Sequence, residues 1–158
     1  MPVYPLKGHM VTVKLRGLQR NIYSPKHGLI SPLKPDKLRV AGGVEAVGHD
    51  HTVEEPKGRE KLEQVVGVFK EGYLDLEGAV EYHSCLRPVC GDDVAIIGRS
   101  HVGNLYVNTG HGSKGWTFSW GSAQLLADIV CGEETAIDPN RFTPLRFHPV
   151  RTFFSRFV

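Results

Sequence analysis

The spacing of apolar residues changes period several times along this chain, and each change marks an element. Residues 10–15 alternate apolar and polar positions and predict a β-strand that Gly17 closes. Ahead of it, Val3 to Leu6 reads as an extended piece bracketed by Pro2 and Pro5, followed by Lys7-Gly8-His9. Residues 21–35 are rich in Pro, Ser and Gly, with Ile22-Tyr23 and Leu29-Ile30 as short strand candidates. Residues 38–45 form a further strand, in which the paired Gly42 and Gly43 predict a bulge or a close backbone approach. The period then lengthens: Leu62, Val65, Val66 and Phe69 fall on one face of a helix that starts near Pro56, runs to about Glu71 and stops at Gly72. Residues 79–89 are extended again and broken by Pro88, and Val94 to Ile97 is a short all-apolar strand. Leu105, Tyr106 and Val107 predict a buried strand, and Phe118, Leu125, Leu126, Ile129 and Val130 a helix over 117–130. On that helix the small residues Gly121, Ser122, Ala123 and Ala127 would allow tight packing against a neighbour. The aromatic- and arginine-rich end, 141–158, reads as an irregular tail on the body.

Between the last strand and the last helix lies Gly110-His111-Gly112-Ser113-Lys114-Gly115-Trp116-Thr117. Its glycines free the backbone for positive φ, and a helix N-terminus with unpaired N–H groups suits an anionic or electron-rich ligand. Gly110-x-Gly112-x-x-Gly115 also matches the dinucleotide fingerprint by its letters. That fingerprint needs a second parallel strand after the helix. Here Cys131 to Pro139 follows as a loop, so a complete βαβ unit is not expected. The elements together predict an α+β fold, mostly antiparallel, with one amphipathic helix and a terminal strand–glycine turn–helix segment.

Composition narrows the function. With 41% hydrophobic and 23% charged residues the chain is a globular one, and a net charge of +2 with scattered lysines and arginines gives no nucleic-acid footprint. No apolar run reaches transmembrane length and the N-terminus has no signal-peptide pattern. Three cysteines, Cys85, Cys90 and Cys131, have neither metal nor redox spacing, which suits a reducing, intracellular compartment. His49-Asp50-His51 alternates across any strand and has no third partner, so no metal site is expected. Arg87, in Leu86-Arg87-Pro88, either holds a carboxylate through two parallel hydrogen bonds or caps a strand end. His111 and Lys114 are either ligand-facing or ordinary polar turn residues.

Three segments carry a resemblance. Val3-Tyr4-Pro5-Leu6-Lys7-Gly8-His9, Leu86-Arg87-Pro88 with Asp92-Asp93 and Ile96-Ile97-Gly98, and the block from Asn104 to Asp128 occur in that order. Together they resemble the C-terminal half of the D-amino acid oxidase superfamily, the FAD-dependent amine and amino-acid oxidoreductases, and within it the D-amino acid dehydrogenases. The resemblance implies a substrate-domain-like part over 1–86, a flavin-side segment over 87–147 and a tail over 148–158. It implies that Arg87 binds the substrate carboxylate and that Gly110, His111, Gly112, Ser113, Lys114, Gly115, Trp116 and Thr117 lie against FAD. The implied reaction is oxidative deamination of a D-amino acid, or a related amine, to a keto acid and ammonia by hydride transfer to flavin. The family's N-terminal Rossmann unit is missing from these residues, so the chain is expected to begin within a domain and to combine with an N-terminal FAD-binding half or to be cut from a longer precursor. The alternative is a truncated, non-catalytic α+β domain with a binding or structural role, self-associating as a homo-oligomer through the surface an FAD domain would cover. Asp92-Asp93 also departs from the Asp-Gly turn common in the family.

Overall fold

The computed structural model describes residues 1–16, 22–24, 28–33, 36–78 and 80–147. Packing divides the chain into two units, one formed by Leu6–Leu86 and the other by Met1–Pro5 with the chain from Arg87 onward. The expected tail over 148–158 lies outside the described residues.

The first unit is an antiparallel sheet backed by a helix. Strands β1 (Val3–Leu15), β2 (Ile22–Ser24), β3 (Gly28–Leu33), β4 (Lys37–Glu45) and β5 (Leu74–Asp75) lie in the order β2-β3-β4-β1-β5, and β6 (Glu81–Cys90) also pairs with β1. The two extended pieces expected before Leu15 are one strand of 13 residues. Register slips between Lys7 and His9, where Gly43 on β4 takes φ 75°; this is the bulge the paired glycines predict. Strand β6 runs straight through Pro88, which the sequence pattern treats as a break. Apart from its ladder with β1 the strand makes only an isolated bridge among the described residues, so the missing N–H of proline is tolerated.

Helix α1 (Glu55–Val66) covers one face of this sheet. Pro56 stands in its first turn, where no intrahelical N–H is needed, and Glu55 complements the positive end of the dipole. It ends at Val66, not at Glu71. Two β-branched valines followed by Gly67 are weak helix formers, and the chain tightens there through Val68 N–H to Val65 O and Phe69 N–H to Val66 O. Leu62 and Val65 close a core with Val11, Val13, Leu15, Ile30, Leu38 and Val40, while Val66 and Phe69 pack on its margin. Gly58 sits against the Tyr82 ring, where a Cβ has no room.

In the second unit β7 (Ile96–Arg99) and β8 (Tyr106–Thr109) form an antiparallel pair. A 3-10 turn (Gly112–Lys114) leads into helix α2 (Gly115–Cys131), which ends on Gly132 in the left-handed conformation, φ 73°. Two short 3-10 turns, Pro139–Arg141 and Pro144–Phe147, follow. No described strand follows α2, so the fingerprint glycines do not open a βαβ unit among the described residues. The strand expected to be buried at 105–107 is only half-covered: Leu105 is exposed and Tyr106 and Val107 intermediate. The core here is small, made of Cys90, Ile96, Ile97 and Leu125. Arg146 pins the Pro144–Phe147 turn onto it. Its guanidinium donates to both Asp92 carboxylate oxygens and to the carbonyls of Phe142, Thr143 and Val94. That pairing holds the Asp92 carboxyl well below the usual carboxylate range, while burial pushes the Cys90 thiol up.

Candidate functional site

The site assembles around the glycine turn. Arg87 lies near the end of β6, half-buried, and two residues on Val89 forms an antiparallel bridge with His111. The strand that carries Arg87 is thereby fastened by its backbone to the turn, 24 residues away in sequence by the two residue numbers, 111 and 87. Gly110 and Gly112 take φ of 77° and 57°, conformations that L side chains rarely adopt. Gly110 is also buried against Cys90, so it shapes the turn from within. Gly115 differs from the expectation. It is right-handed and opens α2, and its small size serves a close approach to His111, whose Cβ lies 3.3 Å from where a Cβ on Gly115 would stand.

His111 is the one half-buried polar side chain of the turn. Its Nε2 lies 2.8 Å from Asn108 Oδ1. With that oxygen as acceptor, Nε2 carries the proton and Nδ1 keeps a lone pair, which is buried and has no partner. Burial pushes the imidazole pKa down, so the ring stays neutral at neutral pH. Ser113, Lys114, Trp116 and Thr117 are all exposed, and Trp116 is 93% exposed. No side chain caps the start of α2. Within the 3-10 turn Lys114 N–H donates to His111 O at 3.1 Å, and the positive end of the α2 dipole lies at this turn. Beside it is an apolar recess of about 380 Å³ lined by His111, Thr117, Phe118, Ser122, Ile97 and Phe142 among others. An uncapped helix start, two left-handed glycines, an unpaired ring nitrogen and an apolar recess fit a flat, electron-rich ring bearing polar atoms on one edge.

Several charged groups escape the sequence pattern. Lys7 is fully buried and donates to Asp50 and Glu54 at 2.7 and 3.1 Å; Lys57 donates to Glu45 at 2.7 Å and reaches Glu54 at 2.9 Å. The Lys7 ammonium, with help from Thr52, holds the Asp50 carboxyl well below its usual range. His9 Nε2 is 3.2 Å from Glu45 Oε1, in a direction too oblique for a hydrogen bond. His9, Glu45 and Glu54 thus bring three potential metal-ligand atoms within 4.8 Å, a grouping no sequence spacing reveals. The two lysines already supply the positive charge that a metal ion would bring there. Asp50 belongs to this ion-pair network, while its neighbours His49 and His51 are exposed. Asn108, three residues before His111, was the one partner its spacing could have suggested.

Residues 1–129 match the family model of the FAD-dependent oxidoreductases (DAO). The chain belongs to that family. It is 33% identical over 142 residues to a D-amino acid dehydrogenase from Allorhizobium ampelinum, covering 87% of this chain and 33% of the relative. Among solved structures it is similar to iminodiacetate oxidase from Chelativorans sp. BNC1, with a TM-score of 0.76 and 22% identity, over 90% of this chain and 40% of that one. Glycine oxidase from Geobacillus kaustophilus superposes with a TM-score of 0.73 at 24% identity, over 90% of this chain and 39% of its own. The chain thus spans about a third of the length of the curated relative and two fifths of the solved ones. No described helix is long and apolar enough to cross a membrane.

Proposed function

We propose that this chain is the substrate- and flavin-facing part of an FAD-dependent oxidoreductase that oxidises D-amino acids, or related amines, to keto acids and ammonia. The observation that carries the reading is the Val89–His111 bridge, which joins the Arg87 strand to the glycine turn in a chain of this family. Arg87 would hold the substrate carboxylate through its planar fork. The backbone of Gly112, Ser113, Lys114 and Gly115, with His111, Trp116 and Thr117, would hold the isoalloxazine edge, and Gly110 would set the turn. Bound FAD supplies the electron acceptor for the oxidation of the C–N bond, which no side chain of this chain provides. The neutral His111 keeps a proton acceptor beside the ring edge, and the α2 N-terminus favours negative charge there.

The same reading names the partner. Trp116, Phe118 and Trp120 stand 93%, 50% and 88% exposed along α2, and an FAD-binding partner region would cover them. A test joins this chain to the part of the Allorhizobium relative that the match does not cover. The expected product is yellow and is bleached anaerobically by a D-amino acid, and Arg87→Lys raises KM about tenfold or more while flavin stays bound. A fusion that binds FAD yet is bleached by no D-amino acid or amine, or an Arg87→Lys variant with unchanged KM, overturns the proposal.

A further inference from the structure

We infer that the sheet of the Leu6–Leu86 unit carries a carboxylate-recognition site of its own, built on Arg39 with Thr12 and Ser31 beside it. Register places Thr12 of β1 and Ser31 of β3 directly opposite Arg39 of β4. Their neighbours in each strand, Val11, Val13, Ile30, Leu38 and Val40, pack into the α1 core. Side chains alternate across a sheet, so Thr12, Arg39 and Ser31 form one row on the face turned away from α1. Thr12 is only 2% exposed, and its hydroxyl has no hydrogen-bond partner. The Nε of Arg39 is likewise buried and without one. Among the described residues no carboxylate pairs with the Arg39 guanidinium. Buried donors without acceptors are rare and destabilising, and they persist where something outside the fold supplies the acceptor.

The charge around the row says what that is. Lys14 and Lys37 face each other on the same side of the sheet, and a recess of about 180 Å³ is lined by Thr12, Lys14, Asp36, Lys37 and Glu81. Lys37 already engages Glu81 at 2.6 Å. The recess charges Lys14, Lys37, Asp36 and Glu81 balance, so Arg39, opposite Thr12 and with its Nε buried and unpaired, adds one positive charge in excess. One excess charge and a planar fork match a single carboxylate, with the Thr12 hydroxyl as a further donor, better than a doubly charged phosphate. The row includes neither Arg87 nor any residue of the glycine turn.

Butyrate titrated into the chain at constant ionic strength, with neutral butyramide as control, tests it by calorimetry and amide NMR. One saturable site is expected, shifting the amides of Thr12, Ser31 and Arg39. Arg39→Gln should weaken it about tenfold or more, and Thr12→Val severalfold. Both variants should melt at or above the wild-type temperature, because each removes an unpaired buried group; a purely structural role predicts the reverse. Absence of saturable binding, equal binding of butyramide, unchanged affinity in Arg39→Gln, or lower melting of both variants overturns the inference. Because no flavin is needed, its failure is readable apart from any failure of the oxidoreductase reading.

Discussion

The two helices of this protein are built from opposite materials and meet opposite surroundings. Helix α1 is mostly Glu, Lys, Arg and Gln, yet Leu62 and Val65 are sealed against the sheet and Gly58 lets it approach Tyr82. Helix α2 is mostly apolar and small, yet only Ser122 and Leu125 are buried, and two tryptophans four residues apart stand in the open. Hydrophobic burial is the dominant favourable term in folding, so a helix of α2's composition is not selected for the surface it shows here. The difference teaches which surface is finished. The sheet unit closes its own core, whereas α2 has one narrow contact with its unit and a broad face made for something else.

The comparison can be broken most directly by truncation on both sides of it. Ile30→Ala, inside the closed core, should cost about 2–5 kcal/mol in urea denaturation. Trp120→Ser, with a larger side chain lost, should change stability by no more than about 0.5 kcal/mol and should raise solubility. A cost above about 2 kcal/mol for Trp120→Ser would mean that α2 buries its outer face within this chain after all.

A smaller effect sharpens the picture of the second unit's turns. Asp93 occupies the left-handed region at φ 55°, a conformation that glycine adopts without strain. Asp93→Gly should therefore raise stability by up to about 1 kcal/mol, read as a higher Tm, since relief of the left-handed conformation outweighs the added chain entropy. An unchanged or lower Tm would show that the Asp93 side chain compensates locally.

The smallest expected effect concerns pH. Burial lowers the His111 pKa in the folded state, so the unfolded chain binds the proton more readily. Stability from this residue is present above the unfolded value of about 6.5 and is lost as pH falls through the window between that value and the lower folded one. His111→Gln should flatten the stability profile between about pH 7 and pH 5, leaving the carboxylate-driven loss at lower pH intact. A profile unchanged by the substitution would place His111 in water.

Much of the architecture was legible because local physics and packing agree. The alternation from Met10 to Leu15, the Gly42-Gly43 bulge and the Leu62–Val65 spacing all survive into β1, β4 and α1. Errors had two sources: β6 passes through Pro88 where no second ladder needs its N–H among the described residues, and α1 stops at Val66 because two valines and Gly67, weak helix formers, outweigh the apolar spacing. Of the candidate site, the glycine turn and Arg87 stood out by residue type. Asn108, Arg146, Lys7, Thr12 and Arg39 did not, since each is ordinary until a distant partner, or the lack of one, gives it meaning.

By itself, the sequence determined the order and kind of the elements and the turn Gly110–Thr117, because periodicity and glycine are local properties. It also carried the family, through motifs whose order is hard to obtain otherwise. Only the tertiary structure decided that Gly115 packs on His111, that Val89 ties Arg87's strand to the turn, and that α2 shows its apolar face to solvent. Those facts depend on which surfaces meet after the chain folds, and no spacing along the chain encodes whether a buried donor finds its acceptor.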